Sequence, residues 1–326
     1  MCMRVYKSYP YCFSIKGDGC CAIFNSQFET IQLVPFAIAE IFEALIDNTS
    51  ELCCIQKKLA IDSTTLNICI DYLKEKKYVF VADSSDLFPQ IELYDTSTLN
   101  IFKNAVIEFN DKSDHIERLG AFVSSYPFEF LELRFLPCVT DVNRLLNIFT
   151  DRISLSTIRA IQIVMSNKCE IDLRSKLLGR ITHVIKYGAN SDSSIQSRSG
   201  VMTYYVKDKY NLLCGRNNDY NKNLVIDLDY FIKSHFINPY YYGRIEIDSS
   251  GFVKNSLKNP KSFGNISSNN LYDIIHRSEF QKMWFITHDM IREIKGSPLR
   301  YNMFVTNNLD YDEVDKIYRF SQETGF

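Results

Sequence analysis

The sequence predicts an α/β chain whose N-terminal part is α+β. Three observations carry this prediction. Residues 11–34 alternate like short strands and then change, at Pro35, to helical spacing; residues 128–206 alternate strand with helix; residues 240–307 keep a spaced set of positions around Gly251. The 326 residues, 46% apolar and 13% aromatic, suffice for two or three domains and a large core.

In the first segment, residues 11–16 and 20–24 form strands joined by Gly17-Asp18-Gly19, a hairpin signal, and residues 30–34 alternate as a third strand. Pro35 can open a helix in which Ile38, Ile41, Phe42 and Leu45 share a face. A second helix covers about 50–59, and Asp62-Ser63 can cap a third whose Leu66, Ile70 and Leu73 align. Residues 78–81 close the segment as a strand. Asp83-Ser84-Ser85-Asp86 and Pro89 then signal a linker, and 98–109 has weak helical character.

Residues 128–135 read as a strand, followed by a helical face of Val142, Leu145, Leu146 and Phe149 and a strand over 158–165. A second helix carries Leu173, Leu177 and Leu178. Two more strands, 181–187 and 201–206, flank a polar loop over 189–200. Repeating βα units imply a parallel sheet with right-handed crossovers, and the segment is too short for a complete eight-unit barrel.

A formal charge of −2 gives no overall basic footprint, and no run of about 18 apolar residues could span a membrane. Residues 1–7 lack the apolar stretch of a signal peptide, so a cytoplasmic location is expected. The cysteines stand at 2, 12, 20, 21, 53, 54, 69, 138, 169 and 214. They form neither Cys-x3-Cys-x2-Cys nor Cys-x2-Cys, so the radical-SAM ligand loop is absent and zinc or thioredoxin-like readings fail. Most lie in apolar runs, as reduced core thiols do. The histidines, at 115, 183, 235, 276 and 288, make no pair at three-four spacing and no His-Glu-x-x-His frame. His183 is expected as a hydrogen-bonded core residue, and His288-Asp289 on the solvated face of a C-terminal helix. Neither Gly-x4-Gly-Lys-Ser/Thr nor Gly-x-Gly-x-x-Gly occurs. Tyr240-Tyr241-Tyr242-Gly243-Arg244 suits an aromatic or anionic partner, or plain packing. No self-standing catalytic site emerges, and neither metal nor cofactor is expected.

The C-terminal spacing is the most specific signal. Ten residues separate Tyr240 from Gly251 and four separate Gly251 from Ser256; later come Ile294-x2-Ser297-x5-Met303-x3-Asn307. This resembles the SPASM domain, the auxiliary-cluster domain of peptide-modifying radical-SAM enzymes, in which cysteines hold the places here taken by Tyr240, Ser256, Ile294, Ser297, Met303 and Asn307. Between those places, Ile245-Glu246-Ile247-Asp248, Gly251-Phe252-Val253-Lys254-Asn255, Phe263-Gly264-Asn265-Ile266, Trp284, Asp289-Met290-Ile291 and Arg300-Tyr301 look most like the SPASM-type maturase found beside ATP-grasp ligases in ribosomal-peptide (grasp-with-SPASM) pathways. These six side chains cannot jointly replace thiolate ligands, so the resemblance implies a domain without a cluster. Phe263, Leu271, Ile274, Phe280 and Trp284 are expected to hold it together instead.

Residues 1–83 resemble, in pattern and position, the winged-helix peptide-recognition element of ribosomal-peptide enzymes, akin to the peptide chaperone of pyrroloquinoline quinone biosynthesis (PqqD-like). That resemblance implies a leader peptide added as a strand along Thr30, Ile31, Gln32, Leu33 and Val34, its side chains against Leu66, Ile70 and Leu73. A DNA-binding winged helix shares the topology, but Lys74, Lys76 and Lys77 are offset by Asp71 and Glu75, so peptide is favoured over nucleic acid. Residues 84–127 would be a linker or helical connection, 128–235 would resemble a shrunken radical-SAM partial barrel without its three-Cys loop, and 236–326 would be the cluster-free SPASM-like domain. The function so implied is a non-catalytic leader-peptide-binding and docking subunit that presents a ribosomal precursor to a separate ATP-grasp ligase. Two alternatives remain: a peptide-modifying enzyme that needs no cluster, with a pocket in the central sheet, and a winged-helix DNA-binding regulator.

Overall fold

A computed structural model describes residues 5–46, 52–82, 91–94, 102–112, 116–154, 156–172, 179–211 and 223–321. The linker signals at 83–90, the helix expected around 173–178, His115, Cys2 and Cys214 lie outside the described residues.

The first segment contains β1 (Val5–Ser8), β2 (Cys12–Lys16), β3 (Cys21–Asn25), β4 (Thr30–Val34), α1 (Phe36–Ile46), α2 (Leu52–Leu59), α3 (Ser63–Glu75) and β5 (Val79–Ala82). β2, β3 and β4 form an antiparallel sheet in that order. The turn Gly17-Asp18-Gly19 closes the first hairpin, with Gly17 N donating to Cys20 O at 3.0 Å. Asp62 caps α3 by accepting from the amides of Thr64 and Thr65, both at 2.9 Å. Ile41, Phe42, Leu45, Ile55, Leu66, Ile70 and Leu73 from the helices pack on Cys12, Cys21, Ile23 and Val34 of the sheet. β1, which the sequence did not disclose, pairs antiparallel with β5.

The main sheet has eight strands in the order β10-β11-β9-β8-β7-β6-β12-β13. They are β6 (Asn104–Phe109), β7 (Phe130–Phe135), β8 (Ala160–Ser166), β9 (Ile181–Tyr187), β10 (Ser193–Gln196), β11 (Met202–Val206), β12 (Arg244–Ile247) and β13 (Val253–Lys254). The six from β11 to β12 run parallel to their neighbours, and β10 and β13 add antiparallel edges. The result is a mixed α/β fold with one large mixed sheet. Its outer face, with Ala105, Ile107, Leu131, Leu133, Ile161 and Ile163, packs on α4 (Ile116–Ser125) and α5 (Val142–Ser154) through Leu119, Val123, Val142 and Leu145.

Three expectations need correction. Residues 104–109, read as weakly helical, are the first parallel strand; Ala105, Ile107 and Phe109 are buried on one face and Val106 on the other, which erases the alternation that marks a half-exposed strand. The polar loop 189–200 contains β10, whose side chains are all exposed. The sheet also reaches beyond 128–235, taking β6 from the presumed connection and β12 and β13 from the C-terminal segment, so those boundaries do not coincide with the folded layers.

After β11 come α6 (Leu228–Ser234), α7 (Leu271–Ile275), α8 (Ser278–Gln281) and the hairpin of β14 (Leu309–Asp312) and β15 (Ile317–Phe320). Leu271, Ile274, Phe280 and Trp284 are buried as expected, with Phe263 half-buried against them. The Trp284 ring lies 5.4 Å from Phe102, 5.6 Å from Tyr242 and 6.1 Å from Phe280. Gly251 adopts φ 85°, and Ile266 N donates to its carbonyl at 3.0 Å, so this glycine makes the turn between β12 and β13.

The first segment does not stand apart. On the sheet face opposite the helices, Ile15, Ala22 and Phe24 share a core with Phe231 of α6 and Tyr301; the rings of Phe24 and Phe231 are 4.8 Å apart. The β2–β3 turn sits directly on residues 296–300. Asp18 N donates to Gly296 O at 2.9 Å, Arg300 Nη1 donates to Lys16 O at 2.7 Å, and a Cβ on Gly17 would lie 2.5 Å from Pro298 Cδ. Among the described residues no helix is long and apolar enough to cross a membrane.

Replacing Trp284 with Ala should cost about 3–5 kcal/mol by opening a cavity among these rings. Chemical denaturation measures it, and an unchanged midpoint would place Trp284 outside the stabilising core.

Candidate functional site

The edge of β4 is built by the hairpin before it. Gly17 N bonds Cys20 O and Ser26 N bonds Tyr11 O at 3.0 Å, which makes Ala22 and Phe24 the residues of β3 that bond towards β2. Cys21, Ile23 and Asn25 therefore bond towards β4, to their partners Val34, Gln32 and Thr30. The backbone groups of Ile31 and Leu33 are left pointing outward. Among the described residues β3 is the only strand paired with β4.

The side chains around that edge differ from the expected set. Leu66 and Ile70 are 2% exposed and Leu73 is 0% exposed; all three belong to the core beneath the sheet and line no open groove. Helical periodicity marked them as buried but not what covers them. Thr30 is exposed, Leu33 is 53% exposed, Ile31 and Gln32 are half-buried and Val34 is buried. Tyr78 donates through its hydroxyl to Gln32 Oε1 at 3.3 Å. Burial, with Tyr72 close by, pushes the Tyr78 phenol up to about 12. Ile68, one helical turn before Tyr72, is 65% exposed.

The interior face of the main sheet forms a second candidate. Strand register aligns Glu246, Val106, Glu132, Gln162, His183 and Met202 in one row across six strands, at about 4.8 Å per strand. Arg134 Nε pairs with Glu132 Oε1 at 2.5 Å. Arg244 Nε pairs with Glu246 Oε1, and Leu257 N donates to Glu246 Oε2. Burial raises the Glu246 carboxyl, but Arg244, Arg134 and the Leu257 amide outweigh it and hold the group below its usual range. Glu108 accepts from the Tyr210 hydroxyl and from Ser249 N. His183 is half-buried on this face rather than in the core; its Nδ1 is 3.0 Å from Thr182 Oγ1 and its ring stacks on Tyr204 at 5.9 Å. The charges on β7 and β12 are thus internally paired, while Gln162, His183 and Tyr204 supply a polar, aromatic surface.

The six residues that the sequence resemblance aligns with SPASM cysteines pack and hydrogen-bond as follows. The Tyr240 hydroxyl hydrogen-bonds Ser256, its ring lies 4.6 Å from the Arg244 guanidinium, and burial followed by Glu246 pushes its pKa up to about 12. Ile294 and Met303 are buried in the main core. Ser297 Oγ accepts from Leu299 N at 3.2 Å, and Asn307 O accepts from the Tyr241 hydroxyl at 2.9 Å. Tyr241 and Tyr242 are buried, so the tyrosine run packs.

His288 departs from expectation. It is 0% exposed, in a 3-10 turn over His288–Met290 instead of on a solvated helix face. Burial pulls its pKa down to about 4; Asp289 and a hydrogen bond with the Arg300 backbone oppose this, while His235 and the Arg300 charge add to it. His235 is lowered as well, chiefly by burial, and stacks on Tyr301 at 3.6 Å. Asp289 accepts from Tyr301 Oη at 2.6 Å and from Arg300 Nε at 2.7 Å.

No protein-family model matches the chain, and no curated protein matches it. Among solved structures it is similar to SuiB of Streptococcus suis. The crystal structure of SuiB bound to S-adenosylmethionine aligns with TM-score 0.34 and 10% identity over 85% of this chain and 89% of that one. SuiB bound to precursor peptide SuiA gives 0.35 and 10%, over 86% and 90%. A further SuiB structure gives 0.33 and 9%, over 85% and 88%. At these scores the likeness assigns no activity to this chain.

Two measurements follow from the buried charges. Glu246→Ala strands the Arg244 guanidinium and should cost about 3–5 kcal/mol, whereas Arg244→Met with Glu246→Leu should recover most of it. Equal loss in both variants would contradict the pairing. For His288, a folded pKa near 4 against an unfolded value near 6.5 means that its stabilisation is complete above the unfolded value and falls with acid. Between pH 7 and pH 5 the loss should be about 2 kcal/mol, read from denaturant midpoints, and smaller in His288→Leu.

Proposed function

We propose that this protein is a non-catalytic cytoplasmic subunit that binds a ribosomal precursor peptide as an added strand on β4 and presents it to a separate ATP-grasp ligase. The observation that supports it most is the edge itself, where Ile31 and Leu33 direct their N–H and C=O groups away from β3. Natural edges are commonly blunted by charge, proline or a covering element, and Thr30–Val34 contains neither charge nor proline. An extended peptide would gain main-chain hydrogen bonds there and be discriminated through its alternate side chains. The PqqD-like and grasp-with-SPASM resemblances supply the class of peptide and of partner. Tyr240, Ser256, Ile294 and Met303, engaged in packing and hydrogen bonding, favour a role without cluster chemistry.

A second reading, a cluster-independent peptide-modifying enzyme, draws on Gln162, His183 and Tyr204 across adjacent strands. A small cofactor copurifying with the protein would favour it.

A pull-down with the full-length protein against the products of neighbouring genes should retain a short precursor and an ATP-grasp enzyme. The leader of that precursor, fluorescein-labelled, should bind at least tenfold more weakly, about 1.4 kcal/mol, to Ile31→Pro than to the parent. Gln32, whose amide faces β3, is not an edge test. Equal binding by a variant with an unchanged melting curve would overturn the proposal.

A further inference from the structure

Arg118, Leu119, Phe122 and Tyr126 recur at three-four spacing along α4 and just past its end, so they share one side of that helix. Together with residues 266–272 they line a cleft of about 330 Å³. Its floor is apolar: Leu119, Phe122, Ile266 and Leu271 are each at most 9% exposed. Its rim is polar, and the amide oxygens on it are already engaged. Asn269 Oδ1 accepts from Asn265 N at 3.0 Å and from Ser268 Oγ at 3.3 Å, and Asn270 Oδ1 accepts from Tyr272 N at 3.0 Å, which leaves both Nδ2 groups as donors. Arg118 Nη1 donates to Ile266 O at 3.1 Å and Ser267 O at 2.5 Å, pinning the guanidinium to the far wall and leaving Nε and Nη2. Among the described residues no carboxylate pairs with Arg118, and Glu117 and Asp273 are exposed and do not line the cleft. The Tyr126 and Tyr272 rings stand 6.3 Å apart. Burial, followed by Tyr272 and Asp273, raises the Tyr126 phenol, which therefore stays a donor at neutral pH.

We infer that this cleft binds a small carboxylate with an apolar, ring-sized body. The carboxylate accepts from Arg118 Nε and Nη2, a charge-assisted pairing that a guanidinium held in place by two carbonyls is prepared to make. The amide Nδ2 groups of Asn269 and Asn270 are further donors, and the body lies on Leu119, Phe122 and Leu271. A rim of donors with an unpaired cation selects against a positively charged ligand, and a volume at the low end of small-molecule pockets is too small for a helix or a strand. The cleft shares no residue with the β4 edge or with the interior row of the main sheet, so it is independent of the peptide reading.

The probes are 4-phenylbutyrate and its uncharged amide, 4-phenylbutyramide, titrated into the full-length protein and followed by ligand-observed NMR. The carboxylate should saturate the protein and bind at least tenfold more tightly than the amide, and Arg118→Gln should erase that difference. Ala121→Phe fills the cleft from an exposed position of α4 without removing a side-chain hydrogen bond, so it should exclude both probes while the melting curve stays that of the parent. Bound 4-phenylbutyrate should also slow amide hydrogen exchange at residues 118–126 and 266–272. Absence of saturable binding at millimolar 4-phenylbutyrate would overturn the inference, and so would equal affinity for the amide, which would mark the cleft as a purely apolar surface. Undiminished binding by a folded Ala121→Phe would place the probe elsewhere and overturn it as well. Should Arg118→Gln fail to fold, the two probes on the parent decide the charge requirement and Ala121→Phe decides the location.

Discussion

β12 is where the two larger parts of the chain are joined, and the arrangement depends on keeping its charges neutralised. The strand lies beside β6 as a member of the parallel sheet, and its sequence neighbours begin the C-terminal region. Ile245 and Ile247 enter the main core, which obliges Arg244 and Glu246 to face the interior side. A lone buried charge costs several kcal/mol, so each must be answered on the spot. Glu246 takes Arg244 on one oxygen and the Leu257 amide on the other, while the Arg244 guanidinium lies against the Tyr240 ring. One ion pair thereby ties the turn before the strand to the loop after β13.

The second joint is steric. The β2–β3 turn approaches residues 296–298 so closely that side chains at Gly17 or Gly296 would collide with Pro298 and Asp18. The sheet of the first segment is consequently covered on both faces, by its own helices on one and by Phe231 and Tyr301 on the other. Removing residues 1–83 would bare those aromatic rings, so the first segment acts as structural cover as well as a candidate binding surface.

What the sequence disclosed was local. Gly17-Asp18-Gly19, the Asp62 cap and the alternation of 30–34 are settled by neighbouring residues, and the helical stripes of α1 and α3 by their period. β1 escaped notice because its pairing with β5 spans the whole first segment, and β6 because both of its faces are buried. His288 read as solvated because His-Asp in a polar context usually is; its complete burial is set by tertiary packing that the local sequence does not report. At the candidate site the strand was legible and its flanks were not. Leu66, Ile70 and Leu73 could be recognised as buried, but their period does not say that they sit in the core beneath the sheet.

The topology also imposes an order on biosynthesis. β6 ends at residue 109, and the strand that covers its outer side begins at residue 244. At ribosomal speeds of about 5–20 residues per second, on the order of ten seconds pass before that partner exists. Through that interval an apolar, parallel-type strand edge waits uncovered in the nascent chain, the situation that favours misassociation and recruits chaperones. A fragment that stops before residue 244 would keep the edge bare permanently.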